Sequence, residues 1–465
     1  MLTLGLTADF EGYMEEIIDD GSIPGILLFL KDLHMCKRTD ALNFSKRGFA
    51  ILPGVLRYYP KVTRLDFSHN QLRNVVSIIG VMQKLRDINL RNNKLTELPT
   101  EMGMLPDLRV LDVAENRIKE FPACLANLKN LAYLWIDSNN IKEIPPLIME
   151  LDSLSYVNFD YNNIKDLPDE MGQMQQLRNV TIRENKLFYF PDVFCRLHGL
   201  EHLNLAENKK VSHVPVHIHH LRDLQTLFIS DGSMLRLDDN IGFCQSLRIL
   251  SFAGNLVTVC PGTLSNLANL RVLNASRNRI CFFPSVCNLT GLTHLNLSTN
   301  EITTLPLQIG DMAALEEINV DNNKLSELPF TIAALPNVTQ LDLQCNRILQ
   351  LPDSIGALDT VREMRLHGNR LTSCPNHMSA LTSLKVLTLR DNHFGDPPEF
   401  LSCLVSLLGP SPQPIVCPTL WSSSFGSGRL CAFPCIHQAV RPLPQWSLTP
   451  DPTLAADKSQ DPHPR

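Results

Sequence analysis

The chain has 465 residues, a formal net charge of −6 and a pI of about 6.2. This acidic balance argues against a general nucleic-acid surface, which needs clustered Lys and Arg. A chain of this length would ordinarily suggest about three domains. A regular internal repeat over most of the sequence overrides that expectation, because each repeat contacts only its neighbours and the whole array forms one body.

The first 40 residues are predicted to form an N-terminal helical cap, 1–40, that closes the first end of the array. Acidic residues dominate its start, whereas a secretory signal begins with basic residues. The apolar run 23–30 contains Pro24 and Gly25 and is too short to span a bilayer. We therefore predict a cytoplasmic protein with no transmembrane segment.

From residue 41 to residue 408 the sequence is predicted to form a solenoid of about 15–16 coils of 23 residues. An asparagine marks each coil in the frame LxxLxLxxN, as in residues 108–116. These asparagines are Asn70, Asn93, Asn116, Asn139, Asn162, Asn185, Asn208, Asn255, Asn278, Asn300, Asn323, Asn346, Asn369 and Asn392. The frame and its period resemble the leucine-rich repeat signature.

The frame predicts a short parallel strand in each coil, with the leucines inward. The asparagine amide both donates and accepts, so it can satisfy backbone groups in the turn and join neighbouring coils. The other half of the coil reads LPxxIxxLxxL, which leaves room for one short helical or 3₁₀ turn. The predicted fold class is an α/β solenoid: a leucine-rich repeat horseshoe with a parallel concave sheet and an irregular or 3₁₀ convex side.

Three places break the repeat. Gly232 replaces the asparagine of one coil, 24 residues after Asn208, and Asn300 follows Asn278 by only 22 residues. An earlier degenerate coil, residues 42–47, precedes the array and is interpreted as a capping repeat. Local bends or interruptions of the binding surface are expected at the irregular coils.

Residues at the x positions of LxxLxLxx project from the concave sheet, and three consecutive coils place aromatic and charged residues there. We predict a partner-binding site at Tyr133, Trp135, Asp137, Tyr156, Asp160, Tyr161 and Arg183. Exposed Trp and Tyr beside charge are the residue types that dominate interface energetics. The alternative is that Trp135 and Tyr156 simply cover each other on a curved sheet.

Charged residues form two further neighbourhoods on the same face. One is acidic and contains Glu317 and Asp321. The other is a secondary basic strip of Arg362, Arg365, Lys385 and Arg390. Such strips steer association and set register, although ordinary solvated charge is the alternative for both.

No catalytic, cofactor or metal signature is found, so neither an enzyme nor a cofactor is predicted. His217, His219 and His220 belong to a histidine-rich stretch that falls on the convex return. The thirteen cysteines are scattered and odd in number, which favours reduced thiols over disulfide-bonded caps.

The last part of the chain, 409–465, is predicted to be a disordered Pro/Ser-rich tail. Residues 401–465 hold 11 of the 31 prolines. Two interpretations are open for the tail: an alternative or truncated product of a longer gene, or a natural flexible tail.

The 23-residue frame, clearest at residues 85–105 and 315–332, resembles the intracellular repeats of Ras-pathway scaffolds and Erbin/Scribble (LAP)-type proteins. The resemblance implies a non-enzymatic cytosolic scaffold that binds a signalling protein on its concave face, with a small GTPase or a phosphatase subunit as partner. The alternatives are a structural repeat protein of cilia or cytoskeleton and, less favoured, a ubiquitin-ligase-type effector with a catalytic cysteine in the tail.

Overall fold

The repeat unit folds as a flattened coil with a strand on one side and a 3₁₀ turn on the other. The computed structural model describes residues 39–283, 289–396 and 398. In these residues sixteen three-residue strands form one open parallel sheet in chain order, with each strand paired to the next. Coil n is the coil that contains strand βn. The strands are β1 Ala41–Asn43, β2 Arg64–Asp66, β3 Asp87–Asn89, β4 Val110–Asp112, β5 Tyr133–Trp135, β6 Tyr156–Asn158, β7 Asn179–Thr181, β8 His202–Asn204, β9 Thr226–Phe228, β10 Ile249–Ser251, β11 Val272–Asn274, β12 His294–Asn296, β13 Glu317–Asn319, β14 Gln340–Asp342, β15 Glu363–Arg365 and β16 Val386–Thr388.

The convex side carries short 3₁₀ helices, fourteen of them in the part of the chain described. Twelve follow directly on a proline whose φ lies between −61° and −76°. The ring fixes that angle, so proline sets the entry to the turn. The helices are Gly54–Tyr58, Ser77–Val81, Thr100–Met104, Ala123–Asn127, Pro146–Glu150, Asp169–Gln173, Asp192–Arg196, Val216–His220, Asp239–Phe243, Gly262–Asn266, Leu307–Asp311, Phe330–Ala334, Asp353–Ala357 and Asn376–Ala380. The predicted fold, a solenoid with a parallel sheet and 3₁₀ convex turns, is confirmed.

The asparagine ladder ties each coil to the one before it. The Asn116 amide nitrogen donates to the carbonyls of Leu90, Val113 and Ala114, each at 3.0 Å. Its Oδ1 accepts the Leu95 N–H at 2.9 Å. Since Leu90 and Leu95 belong to the preceding coil, one side chain both closes its own turn and fixes its neighbour, as predicted from the sequence.

In the coil of Gly232, which lacks the ladder asparagine, a backbone carbonyl replaces the side-chain acceptor. In regular coils the ladder oxygen accepts an N–H from the preceding coil 21 residues earlier, which for Gly232 would be Val211. Here the Val211 N–H instead reaches the Asn208 carbonyl at 3.0 Å. The sheet stays in register through this insertion and through the short coil between β11 and β12. The irregular spacings therefore leave strand pairing intact.

Two predicted regions lie outside this description: the helical cap 1–40, of which only residues 39 and 40 are described, and the tail 409–465. Among the described residues, no helix is long and apolar enough to cross a membrane.

Candidate functional site

Strand alternation places the predicted partner site on the open face of the sheet. In coil 5, Leu134 and Ile136 are fully buried, whereas Tyr133 and Trp135 on the other face are half-buried. We call Tyr133, Trp135 and Asp137 the first, second and third outward positions of this coil. The parallel register sets Tyr133 beside Tyr156, and Trp135 beside Asn158.

Three aromatic rings form one cluster, which we call the aromatic triad: Tyr133, Trp135 and Tyr156. The Trp135 ring centre lies 5.0 Å from that of Tyr156 and 6.1 Å from that of Tyr133, with which it stacks at 13°. The two tyrosine centres are 6.3 Å apart. These spacings are typical of favourable aromatic pairs. The rings cover one another in part, and each also remains partly exposed on the open face of the sheet.

Trp135 occupies a position that normally stabilises the turn. In ten of the sixteen described strands the last residue is Asp or Asn, and its side-chain oxygen accepts the N–H two residues later. An indole cannot accept that bond. Coil 5 thus gives up a local hydrogen bond and gains an outward aromatic ring, which a purely structural role does not require.

Carboxylates lie beside the triad on coils 4, 5 and 6. Asp112 holds the second outward position of coil 4, and Asp137 and Asp160 hold the third outward positions of coils 5 and 6. Burial raises the pKa of Asp112 and of Asp160 to about 6, against an ordinary value of 3.8. Burial also raises the pKa of Asp137, although Arg91 opposes the shift. Burial raises the pKa of Tyr156 to about 12.

Two arginines flank these carboxylates. On one side Arg91 lies 2.7 Å from Glu115, 3.7 Å from Asp137 and 3.9 Å from Asp112. On the other side Arg183 donates its Nε–H to Glu207 at 2.7 Å, and its guanidinium lies 5.3 Å from the centre of the Tyr161 ring. The Asp160 carboxylate accepts the Arg183 backbone N–H at 2.6 Å and the Thr181 hydroxyl.

The seven predicted site residues therefore lie on three consecutive coils, with Arg91, Asp112, Glu115 and Glu207 as additional members. Sequence reasoning missed these four residues because it considered coils 5 to 7 alone. Comparing equivalent outward positions every 23 residues would have found Arg91: the third position reads Arg91, Ala114, Asp137, Asp160 and Arg183 from coil 3 to coil 7.

The pKa of Asp112 yields a prediction about stability. Between pH 4 and pH 6 the folded chain binds more protons at Asp112 than the unfolded chain does, so stability falls as the pH rises through this range. In the wild type the Ala114 N–H donates to the Asp112 carboxylate at 2.9 Å. Asp112→Asn keeps an oxygen acceptor for this N–H and removes the buried charge. We expect it to stabilise the region by about 2 kcal/mol at pH 8 and by little at pH 4.

Urea unfolding at pH 8 and pH 4, followed through amide hydrogen exchange in coils 3 to 5, measures this effect. The reverse change, Asn158→Asp, adds a carboxylate at the equivalent position of coil 6 and should destabilise at pH 8. Equal stability of wild type and Asp112→Asn at pH 8 would show that the charge carries no cost.

The secondary basic strip is less positive than the sequence suggests. Arg365 lies 2.7 Å from Glu363 and 3.3 Å from Asp342, so its charge is largely compensated. Arg390 lies 3.7 Å from Asp391. Arg362 and Lys385 are exposed beside the strands. These pairs arise between neighbouring coils and within one coil, and they limit how strongly the strip attracts an acidic partner.

The acidic neighbourhood of Glu317 and Asp321 accepts hydrogen bonds from two glutamines. Gln340 donates to Glu317 at 3.1 Å and Gln344 donates to Asp321 at 3.1 Å.

His217, His219 and His220 lie on the 3₁₀ helix of coil 8, on the convex side as predicted. Among the described residues no group of three or more His, Cys, Asp or Glu is arranged to hold a metal ion.

Comparison with known families agrees with this architecture. The model of the "Leucine-rich repeat region" family matches residues 60–187 and 263–409, together more than half of the chain. The chain belongs to the leucine-rich repeat family. The unmatched stretch between the two ranges contains Gly232 and the 24-residue spacing, so the irregular coil is also where the family pattern weakens.

Solved structures share the leucine-rich repeat solenoid. A leucine-rich repeat protein of Leptospira interrogans is 29% identical with a TM-score of 0.78, covering 83% of this chain and 98% of that one. A plant peptide hormone receptor, RGFR1, solved in complex with RGF2, is 26% identical with a TM-score of 0.62, covering 78% of this chain and 65% of that one.

Among curated proteins, an adenylate cyclase of Podospora anserina is 31% identical over 111 residues. The match covers 23% of this chain and spans only 5% of the cyclase.

Proposed function

We propose that this leucine-rich repeat protein is a non-enzymatic scaffold of the cytosol that binds a signalling protein along its concave face. The aromatic triad of Tyr133, Trp135 and Tyr156 carries the proposal. Trp135 is the one tryptophan of the described residues, and it lies partly exposed on the open face of the sheet. Large aromatic side chains ringed by polar residues are the usual anchors of protein interfaces.

Two further observations support parts of the proposal. The plant peptide hormone receptor RGFR1, which shares this architecture, was solved in complex with RGF2, and this is a precedent for recognition by a similar solenoid. The seven cysteines of the described residues are free thiols, which suits a reducing compartment. The resemblance to Ras-pathway and LAP-type repeats favours a small GTPase or a phosphatase subunit as the partner.

Affinity purification with quantitative mass spectrometry tests the proposal. Tagged wild type, Trp135→Ala and Phe228→Ala are expressed in parallel. Phe228 ends β9 at the position equivalent to Trp135, four coils away, and is also half-buried. We expect Trp135→Ala to lose a specific partner that wild type and Phe228→Ala both retain. Equal recovery of every partner by all three chains would refute an anchor at Trp135.

A further inference from the structure

Asp137 carries an unsatisfied acceptor at the centre of the partner site. The residue is only 6% exposed, and its Oδ1 accepts no hydrogen bond from the described residues. Its other oxygen has the Ser138 hydroxyl at 3.3 Å and Arg91 at 3.7 Å. Because a buried acceptor without a partner costs free energy, a donor supplied by another molecule would relieve that cost.

The side chain points toward the open face rather than into the core. Asp137 follows Ile136, which is fully buried, and side chains of a strand alternate between faces. Asp160 takes the equivalent position on the next coil, at about the 4.8 Å spacing of neighbouring strands. A group that approaches Asp137 from the concave side therefore meets a second carboxylate.

The charge around Asp137 is negative in balance. Five carboxylates, those of Asp112, Glu115, Asp137, Asp160 and Glu207, face the two guanidiniums of Arg91 and Arg183. With all groups ionised, the cluster has a formal charge of −3. Asp137 and Asp160 lie between the two arginines. Arg183 already lies over the ring of Tyr161.

We propose that this site receives a basic side chain, arginine or lysine, from an extended segment of the partner protein. Its apolar stem would lie against Trp135 and Tyr156, and its cation would lie beside Asp160 and Asp137. A rotation of the Asp137 carboxylate would turn its buried Oδ1 toward the cation and give it a donor. The arrangement repeats what Arg183 does within the chain, where a guanidinium combines an aromatic face with a carboxylate. Cations are favoured both over aromatic faces and beside desolvated carboxylates. The inference rests on the proposed function and specifies the partner's chemistry.

A positional-scanning peptide array incubated with the full chain provides the first test. We expect arginine or lysine to be selected at one position. The best peptide is then made in two forms, one with arginine and one with citrulline, which keeps the shape and loses the charge. Isothermal titration at pH 7.5 should show the arginine form binding at least about tenfold tighter, the ratio that corresponds to about 1.4 kcal/mol.

Two variants with equal change in net charge separate a specific site from general attraction. Asp137→Asn should remove the preference for arginine over citrulline. Asp321→Asn should retain this preference. Asp321 also has a buried Oδ1 without a partner among the described residues. However, Gln344 and Asn322 donate to its other oxygen, and its outward neighbours, Glu317 and Asn319, are not aromatic. Melting curves of both variants check that they are folded.

A second readout uses pH. Arginine does not titrate in the accessible range, whereas Asp112 and Asp160 become protonated as the pH falls through about 6. The arginine peptide should therefore bind more weakly at pH 5.5 than at pH 7.5. The other charged groups of the cluster are Arg91, Glu115, Asp137, Arg183 and Glu207. Binding that strengthens on acidification would overturn the proposal.

Selection of acidic or purely apolar peptides would also overturn it, as would equal binding of the arginine and citrulline forms. These failures are distinguishable from failure of the proposed function. If Trp135→Ala still loses the natural partner while no basic preference exists, the concave anchor stands and only the chemistry assigned to its occupant is wrong.

Discussion

Replacing one asparagine of the ladder, Asn116→Ala, is expected to destabilise coils 3 to 5 by about 3 kcal/mol. The loss is not simply four hydrogen bonds. The Leu90 carbonyl keeps the Asn93 amide as a donor, and the Val113 carbonyl keeps that of Asn139. The buried Leu95 N–H, however, has Asn116 Oδ1 as its acceptor and would be left without one. One orphaned donor plus the cavity accounts for most of the expected effect.

Amide hydrogen exchange resolved by peptide mass spectrometry measures this effect locally, since a long repeat array does not unfold in one step. Exchange should accelerate in coils 3 to 5 and remain near the wild-type rate in coils 12 to 15. Asn140→Ala is the matched control, because Asn140 is exposed on the neighbouring coil. Unchanged protection in Asn116→Ala would mean that the ladder does not join the coils.

Restoring the repeat consensus with Gly232→Asn is expected to destabilise the protein, by about 3 kcal/mol. A Cβ at Gly232 would lie 2.8 Å from the Val211 carbonyl oxygen and 2.9 Å from Asn255 Oδ1. The N–H that a new amide would normally bind already donates to the Asn208 carbonyl. The change therefore adds a steric conflict and a buried polar group without a vacant partner.

Thermal unfolding of Gly232→Asn is compared with that of Gly262→Asn and of wild type. No atom lies within 4 Å of a Cβ built on Gly262, so that control tests the substitution without the conflict. The coil around Gly232 should melt earlier in the first variant only. A Gly232→Asn chain at least as stable as wild type would show that the 24-residue spacing is a defect that the consensus repairs.

The fold could be predicted because each of its determinants is local and repeated. The two-residue step in LxxLxLxxN fixes which side chains face inward, the asparagine closes the turn, and the LP pair sets the 3₁₀ entry. Once the 23-residue period is known, the register follows, so Tyr133 and Tyr156 could be placed side by side from sequence alone. The aromatic triad was found in this way.

The electrostatic part of the site could not be predicted so directly. Arg91 contacts residues 21, 24 and 46 positions later, and which of these it reaches depends on side-chain conformation as well as register. Arg277 likewise pairs with Asp231 at 2.8 Å across an intervening coil, where Gly254 has no side chain to obstruct it. Burial of these carboxylates also depends on the neighbouring coils: Asp112 and Asp342 end their strands in the same way, and burial raises the pKa of both.

Trp135 is expected to anchor a partner on the concave face. The most direct measurement uses the protein that affinity purification recovers with wild type. Isothermal titration at one salt concentration gives its dissociation constant for wild type, Trp135→Ala and Phe228→Ala. We predict a loss of 2 kcal/mol or more, about 30-fold in affinity, for Trp135→Ala alone. An affinity for Trp135→Ala within twofold of wild type, in a chain that melts normally, would contradict the account.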